Sequence, residues 1–119
     1  MELNDLVAKL KQHPDAHRIG MILCHNGVVR GTSRDGRPVR GLKVSVDRHK
    51  LEQVIAEYKK HPGITDILVE IFAERDLAVG DDVMYLVVAG DIRENVIAVL
   101  QNALNAIKTT VTTKTEYFS

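Results

Sequence analysis

Apolar residues recur at helical spacing near the start of the chain, at Leu3, Leu6, Val7 and Leu10. His13-Pro14 ends that stretch, because the residue before a proline is pushed out of the helical region. The run Ile19 to Cys24 predicts a buried strand, and Leu42, Val44 and Val46 alternate as a second. Between them lies a glycine- and arginine-rich loop from Gly27 to Gly41, so the two read as a strand pair with a long connection. Asp47 is placed to cap a helix whose Leu51, Val54, Ile55 and Tyr58 form an i, i+3, i+4, i+7 stripe, and His61-Pro62-Gly63 stops it. Ile67, Val69 and Ile71 alternate along a third strand, while Val83 to Ala89 is continuously apolar and reads as a central one. The turn Val79-Gly80-Asp81-Asp82 separates them. Asp91 is expected to cap a long helix with Ile92, Val96, Val99, Leu100, Ala103, Leu104 and Ile107 inward, running to Lys108. The β-branched tail from Thr109 to Phe118 favours a last strand. The order is helix, strand, strand, helix, strand, strand, helix, strand: an α+β fold with helices packed on a mostly antiparallel sheet.

Composition narrows the function. The 119 residues are 45% hydrophobic and 27% charged, enough to bury one core, and one domain over residues 1–119 is expected. The seven-residue run Val83 to Ala89 is far short of the roughly 20 needed to cross a bilayer, and no secretory block opens the chain, so a cytoplasmic protein without membrane attachment is expected. Net charge is zero, yet seven bases against two acids in residues 30–50 face six acids against one base in residues 66–82. Few aromatic rings and a neutral total argue against a nucleic-acid partner. The lone Cys24 reads as a packed thiol, and the five histidines lack metal-ligand spacing, so no metal or other cofactor is expected.

The candidate chemistry is cationic. Arg30, Arg34 and Arg37 stand among flexible glycines, and guanidinium forks suit a phosphate or carboxylate. Lys108 and Lys114 bracket Thr-Thr-Val-Thr-Thr, where a lysine partly removed from water could approach an acyl carbon. Arg93 opposes the dipole at a helix start, which hints at an anionic ligand. Arg93 and Lys108 are fifteen residues apart, about 22 Å along one helix, so one small ligand can meet both only if they come from two chains.

The order of motifs resembles the large catalytic subunit family of molybdopterin synthase. The resemblance runs through His13-Pro14-Asp15-Ala16, Gly27-Val28-Val29-Arg30-Gly31, Gly36 with Val39 and Leu42, Leu77-Ala78-Val79-Gly80-Asp81, Tyr85-Leu86-Val87-Val88-Ala89, Arg93-Glu94, Ile107-Lys108-Thr109 and Lys114-Thr115-Glu116. It implies an α/β hammerhead fold and a homodimer at the centre of a heterotetramer with a ubiquitin-like small subunit at each end. It also implies an enzyme, a sulfurtransferase, that moves sulfur from the small subunit's C-terminal Gly-Gly thiocarboxylate to cyclic pyranopterin monophosphate, forming molybdopterin. Lys108 and Lys114 would then be the catalytic lysines. Arg30 and Arg93 would bind the pterin phosphate, with Arg34 and Arg37 added from the basic loop. Where the family carries a histidine before Arg93 this chain has Ile92, and its two lysines stand six rather than seven apart. Those departures motivate an alternative: a catalytically impaired relative acting as a dimeric binding or scaffold protein.

Overall fold

A computed structural model describes residues 1–119. Helix α1 (Leu3–Lys11) leads through a 3-10 turn at Ala16–Arg18 into β1 (Met21–Val28), followed by β2 (Val39–Val46), α2 (Arg48–Lys59), β3 (Ile64–Ile71), β4 (Asp76–Ala78), β5 (Asp82–Gly90), α3 (Arg93–Ala106), a wide π turn at Ile107–Val111 and β6 (Thr112–Phe118). No helix is long and apolar enough to cross a membrane. The molecule is elongated, 48 × 25 × 24 Å along its principal axes.

The strands form two three-stranded antiparallel sheets, ordered β1-β5-β3 and β4-β2-β6. β5 is central, as its continuous apolar run predicts, because both of its faces are covered. Tyr85, Val87 and Ala89 pack with Leu6 and Leu10 of α1. Met84, Leu86 and Val88 join Val96, Val99 and Ala103 of α3 and Leu42 and Val44 of β2 in the larger core.

The expected pairing of the first two strands is corrected. β1 pairs with β5 from Met21↔Gly90 to Val28↔Asp82, and β2 pairs with β4 and β6. The long connection is what permits this, since it carries the chain from one sheet to the other instead of folding it back. It runs beside the acidic segment: the Val29 amide donates to the Asp81 carbonyl and Gly41 pairs with Ala78, which brings the two oppositely charged stretches together. The three-residue β4 was not legible in the sequence, where it falls beside the glycine turn.

The two acidic caps behave differently. The Asp47 carboxylate accepts the Lys50 amide at 3.1 Å and starts α2. Asp47→Ala should lower stability by about 1 kcal/mol, with Asp47→Asn nearly neutral, read as shifts in the denaturant midpoint at constant slope. At α3 the capping position is Ile92 and not Asp91. The Asp91 carboxylate instead accepts its neighbour's amide, Ile92 N–H, at 2.7 Å and the Asn95 side-chain amide at 2.9 Å. These contacts, the Asn95 amide foremost, hold it below the usual carboxylate range.

Candidate active site

The regular helix of α3 ends at Ala106, earlier than its apolar stripe suggests, and opens into the π turn that carries Lys108. Threonine hydroxyls make this end possible by satisfying terminal helix carbonyls. Thr109 Oγ1 donates to the Asn105 carbonyl at 2.9 Å and Thr110 Oγ1 to that of Ala106 at 2.6 Å. Ile107 and Val111 anchor the turn in the core, which leaves Lys108 exposed on its outer side.

The chain then enters β6, where the register decides which way Lys114 points. Lys114 stands directly opposite Val44. Directly paired residues of an antiparallel ladder share a face, and Val44 is buried, so Lys114 lies on the inner side of the sheet. A cleft of about 310 Å³ opens there, lined by Lys108, Thr112, Lys114, Leu42, Val44 and Ile71, by Val83 and Met84, and by Arg34, His25, Gly27 and Val28. It lies where the two sheets meet.

The loop that delivers Arg34 is fixed from within by Ser33, the one buried polar side chain. The Ser33 hydroxyl donates to the Asp35 carboxylate and accepts the Arg37 amide at 3.1 Å. The Ser33 amide donates to the Arg37 carbonyl at 2.8 Å, and Gly36 adopts φ 86°, the left-handed conformation glycine tolerates best. The Ser33 hydroxyl, reinforced by the charge of Arg37, holds Asp35 below the usual carboxylate range.

The six basic residues singled out from the sequence separate into two groups. Lys108, Lys114 and Arg34 line the cleft, and none of the three belongs to an ion pair. Arg30, Arg37 and Arg93 do not line it. The Arg30 Nε donates to the Thr32 carbonyl at 2.8 Å. Arg37 is committed to Asp35 at 3.1 Å and lies 3.9 Å over the Phe118 ring. Arg93 pairs with Glu94 at 3.1 Å at the start of α3, with its side chain 79% exposed, a whole helix away from Lys108.

His25 was missed as a site residue. It belongs to the inward set Met21, Leu23, His25 and Gly27 of β1, and that period of two was the available signal. Loss of water, then the positive charge of Lys108, pushes its imidazole below the ordinary histidine value. Cys24, expected to be packed, is exposed instead, because it takes the opposite face of an edge strand. Burial nevertheless raises its thiol somewhat.

The rim of the cleft is braced by polar contacts on the far side of β5. Tyr85 donates to Asp82 at 2.6 Å, which pushes the phenol up to about 12, and Asn26 donates to the same carboxylate at 3.1 Å. These bonds hold the irregularity between Gly27 and Val28, where β1 slips one place against β5.

A family model for the MoaE protein matches residues 1–110, nearly the whole chain. The chain belongs to the MoaE protein family. Solved structures repeat its fold. Molybdopterin cofactor biosynthesis protein E from Burkholderia multivorans ATCC 17616 is 23% identical with a TM-score of 0.77, covering 100% of this chain and 86% of that one. Molybdopterin synthase from Staphylococcus aureus is 20% identical with a TM-score of 0.73, covering 90% and 85%. A complex of subunits 1 and 2 of molybdopterin-converting factor from Helicobacter pylori 26695 contains a chain 16% identical with a TM-score of 0.72, covering 100% and 84%. No curated protein matches the sequence. As a MoaE protein the chain is a molybdopterin synthase large subunit of molybdenum cofactor biosynthesis, in a family whose role is sulfur transfer. A small-subunit partner follows from the same membership.

Proposed function

We propose that residues 1–119 form one large-subunit domain whose sulfur transfer takes place in the cleft between the sheets, with Lys108 and Lys114 as its catalytic residues. The observation that carries this is the convergence of two ammonium groups and the Arg34 guanidinium on one half-enclosed space with no carboxylate in its lining. Uncompensated like charges repel, and an anion entering the cleft relieves that repulsion. Both reactants are anions: the thiocarboxylate terminus of the small subunit and the phosphate of the pterin. Lys108 and Lys114 stabilise the negative charge that develops on the acyl oxygen and on the departing group, and Arg34 holds the phosphate.

Arg93 joins the reaction from a second copy of the chain. Within one chain it stands at the opposite end of a 14-residue helix from the π turn, and its exposure leaves it free to reach a neighbour's cleft. Arg30 is held at the mouth of the basic loop as a second contact for the pterin phosphate, while Arg37 serves the substrate by fixing the loop through Asp35. The assembly is a homodimer flanked by two small subunits, and the reaction takes place in the cytoplasm.

Subunit mixing tests the shared site. Arg93→Ala and Lys108→Ala proteins should each make little molybdopterin from thiocarboxylated small subunit and cyclic pyranopterin monophosphate. After unfolding and refolding together in equal amounts they should recover about a quarter of the parental activity, because half the dimers are mixed and each holds one intact site. No recovery beyond the sum of the separate variants would place both groups in the same chain's site or remove Arg93 from it.

A further inference from the structure

Beside Lys108, Lys114 and Arg34 the cleft holds a fourth titratable side chain, for which those three provide no equivalent. His25 is half-buried on the inner face of β1, makes no hydrogen bond to the protein, and stands directly opposite Leu86, which is fully buried. Residue 27 is a glycine, so no side chain from that position covers the His25 Nε2, from which a Cβ built there would lie 3.4 Å.

The charged groups that share the cleft with His25 are Lys108 from the π turn, whose charge reaches the imidazole, Lys114 from β6 and Arg34 from the loop. The β2, β3 and β5 walls contribute only apolar side chains, and the two charged residues of α3, Arg93 and Glu94, lie at its far end. Ammonium and guanidinium groups carry no free lone pair, and the lining has no carboxylate. Apart from the Thr112 hydroxyl, which is far too weak a base, the imidazole is the one side chain there with a free lone pair, and loss of water, then the charge of Lys108, lowers its affinity for a proton.

This matters because of what sulfur transfer leaves behind. A thiocarboxylate sulfur that attacks carbon while still bound to its acyl group produces a thioester between the small subunit and the pterin. Releasing the small subunit requires water to add to the acyl carbon. We propose that His25 is the general base of that hydrolysis, a catalytic residue beside Lys108 and Lys114. Water forms the new C–O bond and gives one proton to the imidazole; the C–S bond breaks, and its electron pair remains on the sulfur as a thiolate of the pterin. The carboxylic acid so formed loses the second proton to solvent, so the small subunit leaves as a carboxylate, and the imidazolium then returns the first proton to solvent. The lysine ammonium groups stabilise the oxyanion formed on the way. This role rests on the placement of sulfur transfer in the cleft.

Rapid quenching of the parent, His25→Phe and His25→Gln proteins, each mixed with thiocarboxylated small subunit and cyclic pyranopterin monophosphate, separates the steps by the mass of the small subunit. In both variants the first carbon–sulfur bond should form at close to the parental rate, and the acyl-linked adduct should then accumulate, with release slowed about 10²-fold. In the parent, release should fall as acid protonates the imidazole, with a midpoint below the ordinary value of about 6.5; in the variants that acid limb should vanish. Glutamine preserves polarity and phenylalanine preserves the ring, so a shared defect reports the lost base rather than a packing change. Release at the parental rate with an unchanged acid limb overturns the proposal, as does equal slowing of bond formation and release. Parental transfer by Lys108→Ala would instead overturn the placement of the reaction in the cleft.

Discussion

Lys108→Ala is expected to reduce molybdopterin formation by about 10²–10³-fold, the usual cost of removing one preorganised charge from a developing oxyanion. Its stability should change by less than about 0.5 kcal/mol, because Lys108 is exposed and enters no ion pair. Lys114→Ala should act in the same direction. Its pairing opposite Val44 puts it in the same cleft despite a spacing from Lys108 of six residues. The measurement is single-turnover product formation with thiocarboxylated small subunit, alongside thermal unfolding of each variant. A parent that binds the small subunit and transfers no sulfur would support the scaffold alternative, and variants with unchanged turnover would dissociate the lysines from the chemistry. Ile92 is the complementary position: it is 52% exposed beside Arg93, so a histidine introduced there is accommodated without entering the core.

Leu86→Ala should have the largest effect on stability, a loss of about 2–5 kcal/mol. Leu86 is fully buried at the centre of β5, with His25 opposite on β1 and Val69 opposite on β3. Truncation removes its contacts with the larger core and leaves a cavity walled by two strands that cannot close around it. Against a total stability of about 5–15 kcal/mol for an ordinary domain, that is a substantial fraction. Denaturant unfolding followed by circular dichroism checks it. A loss of less than about 1 kcal/mol would mean that the sheet collapses into the space, and with it the apolar support of His25.

The elements written most plainly in the sequence are those whose pattern has only one solution. A seven-residue apolar run is explained by a strand covered on both faces, and β5 is such a strand. The stripe from Leu51 to Tyr58, with Asp47 before it and Pro62 after it, specifies α2. Pairing was harder to read, because the pattern of a strand says which face is buried and nothing about its neighbour. β1 and β2 are adjacent in sequence yet belong to different sheets. At the site, lysines and arginines were visible as residue types, but their directions depend on register and on loop bonding. Arg34 and Arg37 are three residues apart, and the Ser33 hub turns one toward the cleft while Asp35 and Phe118 retain the other. His25 was legible as an inward position of an alternating strand. What its side chain meets there depends on Lys108, from the other end of the chain.

The widened turn at Ile107–Val111 accommodates one more residue than an ordinary helical turn before β6 begins. Removing a single residue within it would rotate Lys108 by about 100° about the helix axis, or else slide Lys114 one place along β2 to the outer surface. Length changes in this short segment are therefore far less tolerable than substitutions. The count of residues between the two ammonium groups acts as a ruler, and chains that measure it differently must compensate in the same turn.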